Sequence, residues 1–280
     1  MHGSSIRIGV VAPSSRIDPT LADKVSHLAE TLQRERQIEI CFHPQCFYSS
    51  GHFAGDDAER TQAFLDVAND DSFDALWFAR GGYGSCRLAE ALIPGLTAAA
   101  RRKTYLGYSD AGSLLAALYK EGCAVAHGPM PTDIVRAGGT VAVARALAFL
   151  ADGAAETLEP NVSADIPSAA FNLTILGHLL GTPLEPDLTG HVLMLEEVSE
   201  HHYRIDRAMF HLTSNPSIRR VAGIRLGRCS DIPANHSDFG QDEEAIIRHW
   251  CKRSGIPYLG RADIGHDAVN KVVPFGRWRG

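Results

Sequence analysis

The amino-acid sequence predicts an α/β protein built around a parallel β-sheet. In the first half of the chain, short runs rich in β-branched residues alternate with stretches whose apolar residues recur at helical spacing. The stretch between one strand and the next is long enough to hold a helix, which is the connection that parallel strands require. With 280 residues, of which 45% are hydrophobic, the chain can also bury a sizeable core. Together these observations favour right-handed βαβ units.

Five strands are predicted in the first half, each followed by a helix. The strands span residues 6–12, 38–42, 75–79, 103–106 and 124–126. The helices span residues 21–36, 56–69, 85–92, 111–120 and 141–150. The fourth of these helices is apolar on nearly every face, as a buried helix would be. In a sheet of this type, functional residues lie in the loops at the carboxyl ends of the strands.

The pattern changes at residues 151–169, where small and polar residues dominate and a linker or crossing segment is predicted. We therefore expect a domain boundary near residues 155–165. The second half has a less regular order of strands and helices. Its strands are predicted at residues 191–195, 221–226 and 256–259, and its helices at residues 172–180, 203–213 and 242–253.

Composition and charge argue against several classes of protein. The net charge is −6, acidic and basic residues are interspersed, and the sequence has no basic stripe that would bind nucleic acid. The longest apolar runs are shorter than the ~20 residues of a membrane span, and no secretory signal is evident. None of the six cysteines forms a C-x-x-C pair, which favours free thiols in a reducing compartment. We expect a cytoplasmic protein with no nucleic-acid or membrane partner.

The segment 107–112, of sequence GYSDAG, is the most informative stretch. A predicted strand runs into a turn at Ser109, and a helix of small residues leaves it. This is the pattern of a nucleophile elbow, in which the serine hydroxyl projects above the sheet. The N–H of Asp110, at the start of the helix, could then stabilise an oxyanion. Because Ala111 replaces the second glycine of G-x-S-x-G, a serine that only caps the helix is the alternative.

A second candidate loop, residues 80–84 of sequence RGGYG, directly follows the third predicted strand. Its glycines allow a tight turn and a close approach to a ligand. Neither a P-loop nor a dinucleotide-binding motif fits, since no Gly-Lys-Ser/Thr and no third glycine follow at the required spacing. Because neighbouring parallel strands bring both loops to one edge of the sheet, we interpret this loop as a second oxyanion donor beside Ser109.

A base for Ser109 is expected in a turn at the same edge, and two of the thirteen histidines meet this condition. His266 lies between a strand and the tail, whereas His127 directly follows the fifth strand. The segment 196–202 combines carboxylates with adjacent histidines but has no H-E-x-x-H or Cys/His spacing, so no metal site is predicted. Glu196 is better interpreted as the carboxylate that orients a histidine.

Seven short segments occur in an order that resembles the LD-carboxypeptidase family of serine peptidases. They are ARGGYG at 79–84, GYSD at 107–110, HGPM at 127–130, GTP at 181–183, LEEV at 195–198, YRIDR at 203–207 and GH at 265–266. The family includes the murein tetrapeptide carboxypeptidases and the microcin C self-immunity peptidases. Two positions depart from its pattern: residues 111–112 are Ala-Gly instead of the commoner Ile/Val-Thr, and Phe171 stands where a glycine often precedes the Asn-Leu pair.

The resemblance implies a two-domain fold. A Rossmann-like N-terminal domain with a parallel sheet is expected at residues 1–155, and a smaller C-terminal α+β domain at residues 156–280. The active site is expected at their interface. The family is usually homodimeric, so a homodimer is expected as well.

The resemblance also implies roles for particular residues. The family's Ser-Glu-His triad falls on Ser109, Glu196 and His266. Its oxyanion and substrate-binding positions fall on Asp110 and on the Gly-rich loop, where we assign the second N–H donor to Gly82 and include Gly81 and Arg80 as neighbours.

The activity implied is hydrolysis of an amide between an L-centre and a D-amino acid. The expected case is release of terminal D-alanine from a cytoplasmic murein tetrapeptide during cell-wall recycling, with no cofactor or metal. Arg80 and Arg204 are candidate partners for the carboxylate of the leaving residue, with a surface or interdomain salt bridge as the alternative for each. A microcin-like acyl-nucleotide peptidase, an α/β-hydrolase-type esterase and a catalytically silent muropeptide-binding protein are the alternatives.

Overall fold

The structure, a computed structural model, describes residues 5–32 and 36–278, and in these residues ten strands form two sheets. The strands are β1 (Ile6–Val11), β2 (Ile38–Phe42), β3 (Ala75–Phe78), β4 (Thr104–Gly107), β5 (Ala124–His127), β6 (Ser168–Asn172), β7 (Val192–Val198), β8 (Gly223–Ser230), β9 (Tyr258–Arg261) and β10 (Val273–Pro274). The first sheet has the order β10-β5-β4-β3-β1-β2, with only the β10–β5 pair antiparallel. The second has the order β6-β7-β8-β9 and is parallel throughout. The predicted α/β fold is confirmed.

Nine α-helices connect the strands within this part of the chain. They are α1 (Pro19–Thr31), α2 (Asp57–Asn69), α3 (Cys86–Leu92), α4 (Ala98–Arg102), α5 (Gly112–Lys120), α6 (Gly139–Asp152), α7 (Leu173–Leu179), α8 (His202–Ser214) and α9 (Glu243–Ser254). Side-chain caps begin several of them: Asp18 caps α1, and Asp56 with Glu59 forms a capping box at α2. Left-handed glycines at Gly153 and Gly255 end α6 and α9. Within the described ranges, no helix has the length and apolarity that crossing a membrane requires.

Two predicted helix and strand assignments need correction. The first helix ends at Thr31, before its predicted end at residue 36, and residues 33–35 of that prediction lie outside the described ranges. β6 occupies part of the segment predicted as a linker and helix start. Ala169 and Ala170 have low β propensity, so their burial beside β7, not their own preference, makes this strand. In the second half of the chain a helix follows each of β6, β7 and β8, so strands and helices alternate there as they do in the first half.

The end of the chain returns to the first sheet. β10 pairs with β5, and the ring of Phe275 packs on that of Phe171 with their centroids 5.0 Å apart. The segment 262–272, between β9 and β10, is thereby held beside the carboxyl end of β4. β10 thus joins the first sheet, although the sequence analysis assigns its residues to the C-terminal domain. The domain boundary between residues 155 and 156 stays a prediction.

Candidate active site

Ser109 lies on a sharp turn between β4 and α5. A single 3-10 turn, Ser109–Ala111, separates the two elements, and Ser109 has a φ of +59°. This left-handed conformation costs a residue with a Cβ about 1–2 kcal/mol, so the surrounding structure must hold it. Gly107 permits the turn, because a Cβ there would lie 2.8 Å from the ring of Phe78. A strained strand–turn–helix of this kind is the geometry of a nucleophile elbow.

The buried carboxylate of Asp110 anchors this turn. Its Oδ2 accepts hydrogen bonds from the hydroxyl of Ser14 and, at 2.9 Å, from the N–H of Ser85. Ser14 follows β1 and Ser85 follows β3, so one carboxylate ties together the loops after three strands. The N–H of Asp110 itself lies in the first turn, where helix geometry provides no intrahelical acceptor. The side chain therefore fixes the peptide group that carries the predicted oxyanion donor.

The structure brings Ser109, His266 and Glu196 into one hydrogen-bonded series. Nε2 of His266 lies 3.0 Å from Oγ of Ser109, and its Nδ1 is bonded to Oε2 of Glu196. Ser109 is half-buried, whereas His266 and Glu196 are 9% and 0% exposed. The serine is thus the member of the series that a substrate can reach most easily.

Glu196 lies inside β7, not just past the end of a strand as the sequence predicts. The register between β7 and β8 shifts between Leu195 and Glu197, and Gly227 on β8 leaves the space that Glu196 needs. A Cβ on Gly227 would lie 3.0 Å from that of Glu196. The second carboxylate oxygen, Oε1, is buried and has no hydrogen-bond partner in the described part of the chain. The buried charge of Glu196 therefore depends strongly on His266.

The electrostatic surroundings favour the charged form of His266. Burial acts against the charge, but the nearby Glu196 carboxylate and its hydrogen bond outweigh it, with a smaller contribution from Glu197. The net effect raises the pKa of His266 above its ordinary value of 6.5. An imidazole with such a pKa can accept a proton from a hydroxyl and hold it while charge develops.

The Gly-rich loop lies directly against Ser109. A Cβ on Gly81 would lie 2.9 Å from Oγ of Ser109, so only glycine allows this approach. Gly82 has a φ of +121° and faces Ser15 instead, since a Cβ on it would lie 2.8 Å from the Ser15 hydroxyl oxygen. Arg80, at the start of the loop, is exposed and donates to the carbonyl oxygen of Arg16 at 3.3 Å.

His127 occupies a different environment from His266. It is 1% exposed, and its Nε2 lies 3.2 Å from Oδ1 of Asn270. That oxygen also accepts the N–H of Gly265, so it is the acceptor and His127 the donor. Burial lowers the pKa of His127 to about 4. His127 is therefore a neutral core residue that supports the segment carrying His266.

The remaining sequence candidates lie outside this series. Arg204, on α8, is paired with Glu200, which lies just before this helix; Nη1 of Arg204 is 3.2 Å from Oε2 of Glu200. Across residues 5–32 and 36–278, no group of three or more His, Cys, Asp or Glu side chains has an arrangement that could hold a metal ion.

Two family models match this chain on either side of its middle. The model of the LD-carboxypeptidase N-terminal domain matches residues 8–128, and that of the LD-carboxypeptidase C-terminal domain matches residues 169–279. The chain belongs to the LD-carboxypeptidase family. It is therefore a member of a peptidase family, as the order of its sequence motifs predicts.

Relatives of this LD-carboxypeptidase family member match it over nearly their whole length. A Synechocystis sp. protein, named for an inferred carboxypeptidase activity, is 31% identical over 96% of this chain and 89% of its own. The murein tetrapeptide carboxypeptidase of Pseudomonas aeruginosa is 26% identical over 97% of this chain and 91% of its own.

Solved structures show the same fold. The muramoyltetrapeptide carboxypeptidase of Oxalobacter formigenes superposes with a TM-score of 0.79 at 24% identity, covering 96% of this chain and 92% of its own. The microcin self-immunity protein MccF, in complex with aspartyl sulfamoyl adenosine, gives a TM-score of 0.78 at 18% identity, covering 98% of this chain and 92% of its own.

Several residues around the site of this LD-carboxypeptidase family member are not predicted from its sequence. Tyr108 precedes the nucleophile candidate, and its hydroxyl donates to Oδ1 of Asp133 at 2.9 Å. Asp133 lies in the turn after β5, next to Arg136, whose guanidinium reaches the backbone of His266. Their position after β5, at the carboxyl edge of the sheet, is the signal that could have identified them.

Proposed function

We propose that this LD-carboxypeptidase family member is a serine-type enzyme that releases terminal D-alanine from murein tetrapeptide. The observation that carries the proposal is the series Ser109–His266–Glu196, with its serine on a strained elbow. The substrate is supported by relatives that are named murein tetrapeptide and muramoyltetrapeptide carboxypeptidases. Such a reaction suits the recycling of cell-wall peptides inside the cell, with a homodimer as the expected assembly.

The chemical steps follow from these hydrogen bonds. Nε2 of His266 accepts the proton of Ser109 as Oγ attacks the carbonyl carbon of the scissile amide, while Glu196 stabilises the imidazolium. When the tetrahedral intermediate collapses, His266 gives this proton to the amine of D-alanine, which leaves. His266 then activates a water that hydrolyses the acyl-enzyme and restores Ser109.

The oxyanion of the tetrahedral intermediate would lie between two backbone segments. The N–H of Asp110 is one donor, held by the contacts of its carboxylate with Ser14 and Ser85. The Gly-rich loop provides the other, assigned to Gly82. The close approach of Gly81 to Ser109 supports a role for this loop, because it places the loop backbone beside the reacting hydroxyl.

Arg80 is the better of the two candidate partners for the carboxylate of terminal D-alanine. It adjoins Gly81, and no carboxylate in the described residues lies within salt-bridge distance of it. Arg204, in contrast, is already paired with Glu200. A guanidinium without an acidic partner, on the residue that precedes Gly81, is suited to bind a terminal carboxylate.

Mass spectrometry of three matched peptides tests the proposed function. They end in D-alanine, L-alanine or D-alaninamide, and each is incubated with wild type and with Ser109→Ala. We expect D-alanine release by wild type, a preference over L-alanine of about 10- to 100-fold or more, and weaker activity on the amide. Ser109→Ala should lose about 10⁴- to 10⁶-fold in rate.

The other outcomes correspond to the alternatives. Equal release of D- and L-alanine would indicate a general peptidase or esterase. Binding of the tetrapeptide by wild type without release would indicate a muropeptide-binding protein. Faster cleavage of an aminoacyl sulfamoyl adenosine than of the tetrapeptide would favour an acyl-nucleotide peptidase.

A further inference from the structure

Ser109 and His266 are 157 residues apart in the chain, so their hydrogen bond depends on how the segment 262–272 is held. Glu196 fixes one side of the His266 ring. Tyr108 packs against the ring, with the two centroids 4.9 Å apart. The backbone of His266 is held separately, because its carbonyl oxygen accepts a hydrogen bond from Nη1 of Arg136 at 2.5 Å.

Asp133 connects Arg136 to the residue that precedes Ser109. Its Oδ1 lies 2.9 Å from Nε of Arg136 and accepts the hydroxyl of Tyr108 at 2.9 Å, while its Oδ2 accepts the N–H of Met130 at 2.8 Å. Asp133 is 1% exposed, and burial raises its pKa even though these contacts act to lower it. Since a buried carboxylate without its cation is costly, this pairing fixes the position of the guanidinium.

The charge of Arg136 also acts on His266. Titratable and charged groups from several elements surround His266. Glu196 and Glu197 lie on β7 and His127 on β5, whereas Tyr108, Asp133 and Arg136 come from the loops after β4 and β5. The groups around the segment of His266 itself are Asp263, Asp267 and Arg228. Burial and the positive charge of Arg136 lower the pKa of His266, whereas Glu196 and Glu197 raise it. Arg136 therefore limits how far the carboxylates favour the charged imidazole.

We propose that Arg136 is a positioning residue for His266, coupled through Asp133 to Tyr108. In this arrangement the buried carboxylate of Asp133 is connected to both sides of the Ser109–His266 hydrogen bond: to the His266 backbone through Arg136, and to the Tyr108 hydroxyl next to Ser109. The inference rests on the proposed function, because it assumes that His266 is the base for Ser109. Arg136 acts on His266 in two ways that can be separated: its hydrogen bond holds the His266 backbone, and its positive charge lowers the pKa of the imidazole.

Two substitutions separate these effects. Arg136→Lys keeps the charge but cannot match the planar guanidinium that reaches both Asp133 and the His266 carbonyl, whereas Arg136→Gln removes the charge as well. We expect kcat for D-alanine release to fall about 10- to 100-fold in both, with KM changed less than about twofold. The acidic limb of the pH profile should move up by about half a pH unit in Arg136→Gln and stay in place in Arg136→Lys.

Arg145→Gln is the matched control. Arg145 donates to the carbonyl oxygens of Ala268 and Asn270 at 3.0 and 2.8 Å, so it holds the same segment without contacting His266. This variant should keep kcat within about twofold and leave the acidic limb unmoved. Wild-type kcat in both Arg136 variants, or an equal loss in Arg145→Gln, would overturn the proposal. Thermal denaturation confirms that each variant is folded.

An NMR titration of the His266 imidazole gives a readout that needs no substrate. The pKa of His266 should rise in Arg136→Gln and stay near its wild-type value in Arg136→Lys. Equal shifts in the two variants would contradict the role of the charge. If these shifts appear but wild type releases no D-alanine, the proposed function fails while the positioning of His266 stands.

Discussion

At the scale of single residues, the proton affinity of His266 controls the proposed chemistry. Burial disfavours its charged form, but Glu196 favours it more strongly, and the pKa of His266 rises above 6.5. The charged His266–Glu196 pair therefore stabilises the fold fully below the ordinary histidine pKa of about 6.5. This contribution is lost as the pH rises through the raised pKa of the folded protein. Activity has the opposite dependence, since His266 must be uncharged to accept the proton of Ser109.

We expect kcat/KM for D-alanine release to fall on the acid side with a midpoint above pH 6.5. In Glu196→Gln the carboxylate charge is lost and burial prevails, so the midpoint of the remaining activity should move to lower pH. Rates on murein tetrapeptide between about pH 5 and 9 measure both midpoints. A midpoint in Glu196→Gln at or above that of wild type would show that Glu196 does not raise the pKa of His266.

Alanine substitutions at His266 and His127 should have different effects. His266→Ala should lower kcat about 10⁴-fold or more, nearly as much as Ser109→Ala, and the double variant should lose little further because the residues act as a unit. His127→Ala should mainly lower the melting temperature, since this neutral residue supports Asn270. Steady-state rates and thermal denaturation measure the two effects. The reverse ranking would identify His127 as the base.

At the scale of secondary-structure elements, the part of the site around Ser109 is assembled from the loops after β1, β3 and β4. Asp110 joins these loops through Ser14 and Ser85, and the Gly-rich loop after β3 lies directly against Ser109. Parallel strands make this possible because their carboxyl ends lie at one edge of the sheet. The loop backbone can approach the nucleophile only where side chains are absent, and Gly81 is the residue at that position.

Gly81→Ala should reduce activity without unfolding the protein. The added Cβ would lie 2.9 Å from both Oγ and Cβ of Ser109, so the loop or the serine must shift. We expect kcat to fall about 100-fold or more, because displacement of the nucleophile by about 1 Å is enough for such a loss. Gly177→Ala on α7 is the control, since its Cβ would make ordinary contact at 3.5 Å with Leu212. Similar kcat values for the two variants would contradict the assignment.

At the scale of the whole molecule, the C-terminal segment 262–276 connects the two sheets and places His266 beside Ser109. Ser168 of β6 exchanges two backbone hydrogen bonds with Gly276, just after β10 has paired with β5. Phe275, between these contacts, packs against the rings of Phe171 and Tyr119. The geometry of the candidate site therefore depends on residues at the far end of the chain.

Phe275→Ala should destabilise the protein by about 3–5 kcal/mol, the usual cost of removing a buried phenylalanine ring. Val269→Ala is the matched control from the same part of the chain. Val269 is 53% exposed, so the free energy of unfolding of this variant should stay within about 0.5 kcal/mol of the wild-type value. Denaturant titration followed by circular dichroism measures both values. Equal stabilities would show that Phe275 does not join the two sheets.

The features that could be predicted from sequence are those with a local signal. The alternation of strands and helices predicts the parallel first sheet, and GYSDAG at 107–112 predicts the turn that the structure shows at Ser109. β6 could not be predicted in this way, because Ala169 and Ala170 form a strand only through burial beside β7. The position of Glu196 within β7 likewise depends on a register shift between two strands.

The sequence by itself determined the fold class, the elbow at Ser109 and the membership of the LD-carboxypeptidase family, because each is encoded in short contiguous segments. It also named His266 and Glu196 as candidates, but from the residues alone His127 remained an alternative. Only the tertiary structure decided that His266 contacts Ser109 while His127 is bonded to Asn270. The same holds for the hydrogen bond from Arg136 to the carbonyl oxygen of His266. Such contacts join residues distant in the chain, so they depend on how the sheets and the tail pack, which no local pattern encodes.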